Sequence, residues 1–206
     1  MHRQKLIVDI VNLEWEMFTN AQNSGGRADC QDDLQTFIIM RSAQASVWEN
    51  DTLESYHGDL ENAAALGINL MMLKYARMME ITFPAEYAQI KDMLPEVSEE
   101  TTNMVGIIAA INTAWAQEIA ERYPKLSSLG RPADYASAIE SGVEQWAAQD
   151  NYLRSELLTY SEHTLELCMR DTLDAQRQGR NMVTEILEAT VERYGYASLD
   201  AAEAAM

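Results

Sequence analysis

Glu14 stands where a carboxylate is costly. Projected at about 100° per residue, Leu6, Ile7, Ile10, Leu13, Met17 and Phe18 form one broad apolar face with Glu14 near its centre. Asp9, Asn12 and Glu16 take the opposite side. An isolated charge on a buried face is unstable, so this carboxylate must be paired, protonated or turned toward a polar cavity. General acid or base chemistry is one reading; a core ion pair that fixes helix packing is an equal alternative.

The next helical stretch mixes chemistry with packing in the same way. Cys30, Asp33, Leu34, Phe37, Met40, Arg41, Gln44 and Trp48 share a face. The guanidinium fork of Arg41 can serve Glu14, Asp33 or an anionic ligand, with Asp33 and Gln44 orienting the group. Glu14, Arg41 and Asp33 are therefore the candidate catalytic set. Phe37 and Trp48 can flank a planar ligand, although core packing is the simpler role for both. Further along, Tyr56, Lys74 and Tyr75 bring polar tips onto an otherwise apolar face of the stretch from Thr52 to Thr82, in which Gly67 is a candidate break and, at the centre of the face, permits close helix approach. In the second half, Leu153, Leu157, Tyr160, Ser161, Thr164, Leu167, Cys168 and Asp171 cluster, with Arg154 at the margin. Gln44, Phe37, Trp48, Tyr56, Lys74, Tyr75, Arg154, Tyr160 and Ser161 make up the expected ligand-binding lining.

Other chemistries find little footing. Glu54-Ser55-Tyr56-His57 has the Glu-x-x-His spacing of di-iron bundles once, but Glu54 and His57 fall on different sides of the projection. No metal site and no cofactor is expected. Cys30 and Cys168 lie in no CxxC pair and read as reduced small hydrophobes.

The elements that must hold these residues are helices. Four prolines and nine glycines punctuate the chain, and the stretches between carry a period near 3.6, which predicts an all-α fold. The first helix is expected from about Lys5 to Asn20. Asn23-Ser24-Gly25-Gly26 then forms a loop before a helix from Asp29 to Trp48, and Asp51 caps the next. Ser98 and Ser198 are further N-caps, and Pro84, Pro95 and Pro124 mark breaks. The 206 residues carry 33 acids against 15 bases, a net charge of −18 that repels nucleic-acid backbones and anionic lipid. No apolar run approaches the ~20 residues of a membrane span. The opening residues read as a helix rather than a leader, and a cytoplasmic protein is expected.

The chain also resembles itself. At an offset of 112, Thr52-Leu53-Glu54, Asp59, Ala63, Gly67 and Asn69 meet Thr164-Leu165-Glu166, Asp171, Ala175, Gly179 and Asn181. Upstream, Arg41-Ser42 meets Arg154-Ser155, Gly26-Arg27 meets Gly130-Arg131, and Asn12-x-x-Trp15 meets Asn112-x-x-Trp115, which places Ala114 opposite Glu14. The same order in both halves implies an internal duplication. Residues 1–97 and 98–206 would be two helical halves packed into one bundle-like domain of residues 1–206, each covering the other's apolar face.

Glu14-Trp15-Glu16-Met17-Phe18, Gly25 to Asp33, Phe37 to Gln44, Lys74 to Met79, Tyr152 to Ser161 and Tyr194-Gly195-Tyr196 resemble a bacterial family known as a domain of unknown function, the 4125 family. The likeness spans nearly the whole chain. It transfers no catalytic residue. It does imply a nucleotidyltransferase-like domain as a companion of some relatives.

Two functions follow as expectations. The first is a small-molecule enzyme of lyase, hydrolase or transferase type, its polar pocket between the halves and Glu14 its acid or base. The second is a non-catalytic helical module that binds a partner enzyme such as a nucleotidyltransferase, or that pairs as a homodimer. A polar cavity beside Glu14 and Arg41 favours the first. A fully paired core with an exposed apolar patch elsewhere favours the second.

Overall fold

A computed structural model describes residues 2–22, 26–144 and 147–206. Asn23, Ser24 and Gly25 of the expected loop lie outside the described residues. Among those described there are α-helices and two 3-10 turns but no strand.

The first half runs α1 (His2–Thr19), α2 (Leu34–Ala45), α3 (Asn50–Ala65), α4 (Leu70–Thr82) and α5 (Pro84–Ile90). The second runs α6 (Glu99–Arg122), α7 (Pro124–Ser128), α8 (Tyr135–Glu140), α9 (Gln149–Leu157), α10 (Glu162–Arg177), α11 (Met182–Arg193) and α12 (Leu199–Ala205). Helix α1 packs on α2, α3 and α4, and α6 packs in the same manner on α9, α10 and α11. Between the halves α3 meets α10, α4 meets α9 and α2 meets α11. The largest apolar cluster draws on both halves, from Ile10, Leu53 and Leu60 to Ile108, Leu165 and Cys168. A smaller one gathers Ile119, Tyr123, Leu126, Val191, Leu199 and Ala202 around α7 and α12.

Several helix ends follow from local chemistry. Ser98 accepts from the Thr101 N–H at 2.9 Å and Ser198 from that of Ala201 at 3.1 Å, so both cap as their types require. Pro84 and Pro124 open α5 and α7, where a missing N–H costs nothing. Three expectations are corrected. The helix from Asp29 to Trp48 is broken: Asp29–Asp32 form a 3-10 turn, and Asp33 caps α2 by accepting from the Thr36 N–H at 3.0 Å. Gln31 anchors that break. Buried, it donates to the Phe18 and Ala21 carbonyls at 2.7 and 3.0 Å.

The stretch from Thr52 to Thr82 divides at Gly67, the break its sequence offers, and what is corrected there is the close helix approach. Gly67 adopts φ +69°, and the Ile68 N–H returns to the Ala63 carbonyl at 2.8 Å, which closes α3 as a left-handed glycine cap. No atom of another element would meet a Cβ there, so Gly67 serves the turn and not close helix approach. Finally, Asp51 is not the N-cap of α3: Glu49 holds that position, and Asp51 stands inside the first turn, accepting from the Thr52 N–H at 3.0 Å. It pairs with Arg170, while Asp171 reaches across from α10 to accept from the Glu49 N–H at 2.9 Å and the Thr52 hydroxyl at 2.6 Å. Asp59 of α3 returns the contact, accepting from the Ser161 N–H at the start of α10 at 3.0 Å.

Candidate functional site

Five helices deliver a buried charge cluster to the boundary between the halves. Helix α1 supplies Glu14, which is 1% exposed; α2 supplies Arg41 and Gln44, α3 Tyr56, α4 Lys74 and α9 Glu156. Tyr160 enters from the α9–α10 connection. Arg41 sits at the centre. Its Nε donates to Glu14 Oε2 at 2.8 Å, and its Nη2 donates both to Glu14 Oε1 and, at 2.9 Å, to Glu156 Oε1. Its Nη1 donates to Gln44 Oε1 at 2.7 Å. The Tyr56 hydroxyl donates to Glu14 Oε1 at 2.7 Å. On the other carboxylate, Lys74 Nζ donates to Oε2 at 2.5 Å and the Tyr160 hydroxyl to Oε1 at 3.0 Å. Two carboxylates thus face two cations, and each carboxylate oxygen already accepts at least one hydrogen bond. Trp48 stands edge-on to the Tyr56 and Tyr160 rings, at centroid distances of 5.4 and 6.1 Å, and seals the cluster from the core side.

The electrostatics follow from that mutual pairing. Burial raises the Glu156 pKa, but Arg41 and Lys74 outweigh it and hold the carboxyl well below the usual carboxylate range. Burial opposes the charge on Arg41, and Glu14 and Glu156 more than restore it. Burial and then the Glu14 carboxylate push the Tyr56 phenol far up; burial and then Glu156 do the same to Tyr160. The carboxylates accept and the cations and phenols donate, and Glu156, Arg41, Tyr56 and Tyr160 are all held away from neutrality.

Glu14, Arg41, Gln44, Tyr56, Lys74 and Tyr160 are therefore brought together, with Trp48 beside them. Asp33 is not: it is an exposed cap, its carboxyl lowered first by the Thr36 N–H. Arg154 is not either, because its Nε bonds Asp150 one turn away at 2.9 Å. Ser161 caps α10 through the Thr164 N–H at 3.2 Å. Phe37 stacks on Phe18 at 5.1 Å and lies at the same distance from Trp15. Tyr75 stays at the outer edge of the cluster, within electrostatic reach of Arg41 and Glu156. Among the described residues, no group of three or more His, Cys, Asp or Glu is arranged to hold a metal.

Glu156 escapes a reading of the sequence that carries one helix from Leu153 through Asp171. The chain breaks between Leu157 and Glu162, so the residues on either side of Tyr160 belong to different helices. Two signals mark it: Glu156 precedes Tyr160 by one turn, and it stands 112 residues after Gln44.

The offset also shows what lies opposite the charges. Asn69 Nδ2 donates to the Met17 carbonyl at 2.7 Å, and Asn181 Nδ2 to the Trp115 carbonyl at 3.3 Å. Met17 and Trp115 are 98 residues apart. The same offset carries the buried Leu6, Ile7, Ile10, Val11, Met17 and Phe18 onto the buried Met104, Val105, Ile108, Ala109, Trp115 and Ala116. At that offset Asn112 stands where α1 has Glu14, whereas pairing Trp15 with Trp115 sets Ala114 there. At 112, Arg41, Tyr56 and Lys74 correspond to Leu153, Cys168 and Ile186. Asn112, Leu153, Cys168 and Ile186, with Gln44, Trp48 and Tyr160, line a cavity of about 50 Å³, near the volume of one or two waters. One side of the boundary is charged; its counterpart is mostly apolar.

A family model described as protein of unknown function (DUF4125) matches residues 4–204. The chain belongs to that family. No curated protein and no solved structure matches this DUF4125 member. Its charge cluster, built from α1, α2, α3, α4 and α9, lies wholly within the matched span. Among the described residues, no DUF4125 helix is long and apolar enough to cross a membrane.

Proposed function

We propose that the chain is a non-catalytic helical module that docks a partner protein, with the charge cluster fixing how its helices pack. The observation that carries this reading is the saturation of the cluster: both oxygens of Glu14 and both of Glu156 accept from Arg41, Lys74, Gln44, Tyr56 or Tyr160. A general base needs a lone pair aimed at substrate and a pKa near the working pH. Glu14 offers no free side to a substrate, and Glu156 is held too acidic to take a proton near neutrality. Acid or base catalysis at Glu14 therefore has the weaker support. A buried, fully satisfied ion cluster instead disfavours alternative packings, since any slip strands a charge.

The docking surface lies elsewhere. Ile81, Thr82 and Phe83 at the end of α4 and Tyr135, Ile139, Gly142, Val143 and Glu144 around α8 enclose an open groove of about 830 Å³. Phe83 is 55% and Ile139 60% exposed, and Ile81 and Val143 beside them are exposed too, so the apolar residues form a patch and are not scattered singly. Glu80, Glu86, Glu140 and Glu144 are exposed around it. The occupant that fits is a protein segment with apolar anchors and a basic rim. A nucleotidyltransferase-like partner is the first class to test.

The experiment mixes the chain with nucleotidyltransferase-like proteins and follows complex formation by light scattering during size exclusion. Phe83→Asp and Ile139→Asp are expected to weaken any complex at least about thirtyfold, the weight of one interface anchor, with folding intact. A complex indifferent to both changes refutes the groove, and the absence of any complex removes this partner class.

The halves themselves are proposed to descend from a duplication. Supporting this are the shared 112-residue offset of α3 and α10, the paired φ of +69° at Gly67 and Gly179, and the Asn69 and Asn181 caps.

A further inference from the structure

The Gly-Arg pair that recurs in the sequence has two different fates. Arg27 is satisfied: it bonds Asp32 and the Thr19 and Gln31 carbonyls at 2.8 to 2.9 Å. Arg131, in the connection from α7 to α8, is exposed and makes no hydrogen bond or ion pair among the described residues. Its guanidinium lies over the Tyr152 ring, 3.6 Å from the centroid. Lys74 Nζ approaches the same ring at 5.7 Å while holding Glu156. Tyr152 therefore links Arg131 to the outer edge of the charge cluster.

Two phenols belong to that edge, Tyr152 beneath Arg131 and Tyr75 within electrostatic reach of Tyr152. Tyr75, beside Lys74 on α4, and Tyr152 are both half-buried, and neither hydroxyl has a hydrogen-bond partner among the described residues. Burial, followed by the neighbouring Cys30 and Tyr152, pushes the Tyr75 phenol up to about 12, so it remains an O–H donor across the physiological range. Burial raises Tyr152 too, against the opposing pull of Arg131. The unused groups are thus a guanidinium edge and two phenolic O–H groups. Arg41, Lys74 and Arg131 carry three positive charges here against two negative ones on Glu14 and Glu156. The local balance is positive by one, in a chain of net charge −18.

Donors with no acceptor among the described residues, open to solvent beside a local excess of positive charge, are the groups an oxyanion would use. We propose that Arg131, Tyr152 and Tyr75 form a binding site for a small oxyanion, the phosphate or carboxylate group of a small molecule, at the outer edge of the charge cluster. Arg131 supplies the charge-assisted contact and the phenols fix its orientation. Lys74 biases the field while remaining bonded to Glu156. A nucleic-acid backbone is excluded by the overall charge, which repels extended polyanions but leaves a single charged group within reach of a local positive edge. The site is one way the module can hold a substrate for a partner, and it does not depend on the apolar groove.

The test is titration of the full chain with inorganic phosphate and, separately, with acetate, followed by calorimetry and by chemical-shift changes at the Tyr152 and Tyr75 rings. Saturable binding of at least one probe is expected, and the stronger of the two identifies the headgroup. Arg131→Gln, at an exposed position, should leave the thermal midpoint unchanged and weaken binding at least about tenfold, the size of one charged hydrogen bond. Tyr75→Phe should weaken it severalfold. Phe83→Asp in the groove should leave it unaltered, which separates this site from partner docking. Failure of both probes to saturate, or equal affinity in Arg131→Gln, overturns the proposal.

Discussion

Replacing Glu14 by Gln tests the cluster at its most buried member. The substitution keeps the shape and removes one charge, so its cost is electrostatic and not a cavity. The new amide can present its oxygen to Tyr56 and Arg41 Nη2, which donate to Oε1. Its NH2 then faces Arg41 Nε, a donor 2.8 Å from the present Oε2. Donor opposes donor, and Arg41 loses the better of its two counter-ions. Removing one partner of a buried pair costs about 3–5 kcal/mol. Glu156 still bonds Arg41 at 2.9 Å, although it must also serve Lys74, which places the loss near the lower end, about 3 kcal/mol. For a chain of this size that is roughly 6–12 °C in Tm. Urea unfolding followed by circular dichroism measures it, with an unchanged slope as the sign that the native state stays compact. The paired substitution Glu14→Met with Arg41→Met leaves Lys74 and Glu156 as a balanced pair and should cost less than the two single changes added together. A loss below about 1 kcal/mol for Glu14→Gln, or strict additivity in the pair, would show that the two groups do not depend on each other.

Two further outcomes follow from the same geometry. The Glu156 pKa is depressed in the fold, so its contribution is complete above the ordinary carboxylate value of 4.5 and fades as pH falls below it; Tyr56 and Tyr160 are raised, so theirs is complete below pH 10 and fades above it. Urea midpoints should therefore be flat with respect to these groups between about pH 5 and 9, and Tyr56→Phe should lessen the alkaline decline. Asp171→Ala strands the buried Thr52 hydroxyl and the Glu49 N–H, removes one of the two carboxylates that Arg170 bonds, and should cost about 2–3 kcal/mol, against about 1 kcal/mol for Asp59→Ala, which frees the Ser161 N–H. The reverse order in urea unfolding would contradict the assigned caps.

Local chemistry made much of this molecule legible from its residues. A 3.6 period and the spacing of prolines specify helices, because the backbone bonds of a helix close within a few residues of themselves. Ser98 and Ser198 cap for the same local reason. Glu14 and Arg41 stood out because a charge on an apolar stripe needs a partner wherever the helix packs. Which partner it takes is a different matter. Glu156 lies 142 positions from Glu14, and only the docking of α9 against α4 and α6 brings it to Arg41. Pairing Trp15 with Trp115 lines up α1 and α6 at one offset, while the bonds of Asn69 to Met17 and of Asn181 to Trp115 match at another, two residues away. A side-chain identity records likeness of type, whereas register is set by which face is buried. Asp51 and Asp171 divide in the same way: Asp51 stands in the first turn of α3 and Asp171 in the body of α10, and the packing of α10 on α3 decides that the distant one bonds the Glu49 N–H. Saturation of the cluster likewise depends on five helices arriving together. It is a sum of distances between residues far apart in the chain, and no window of sequence contains it.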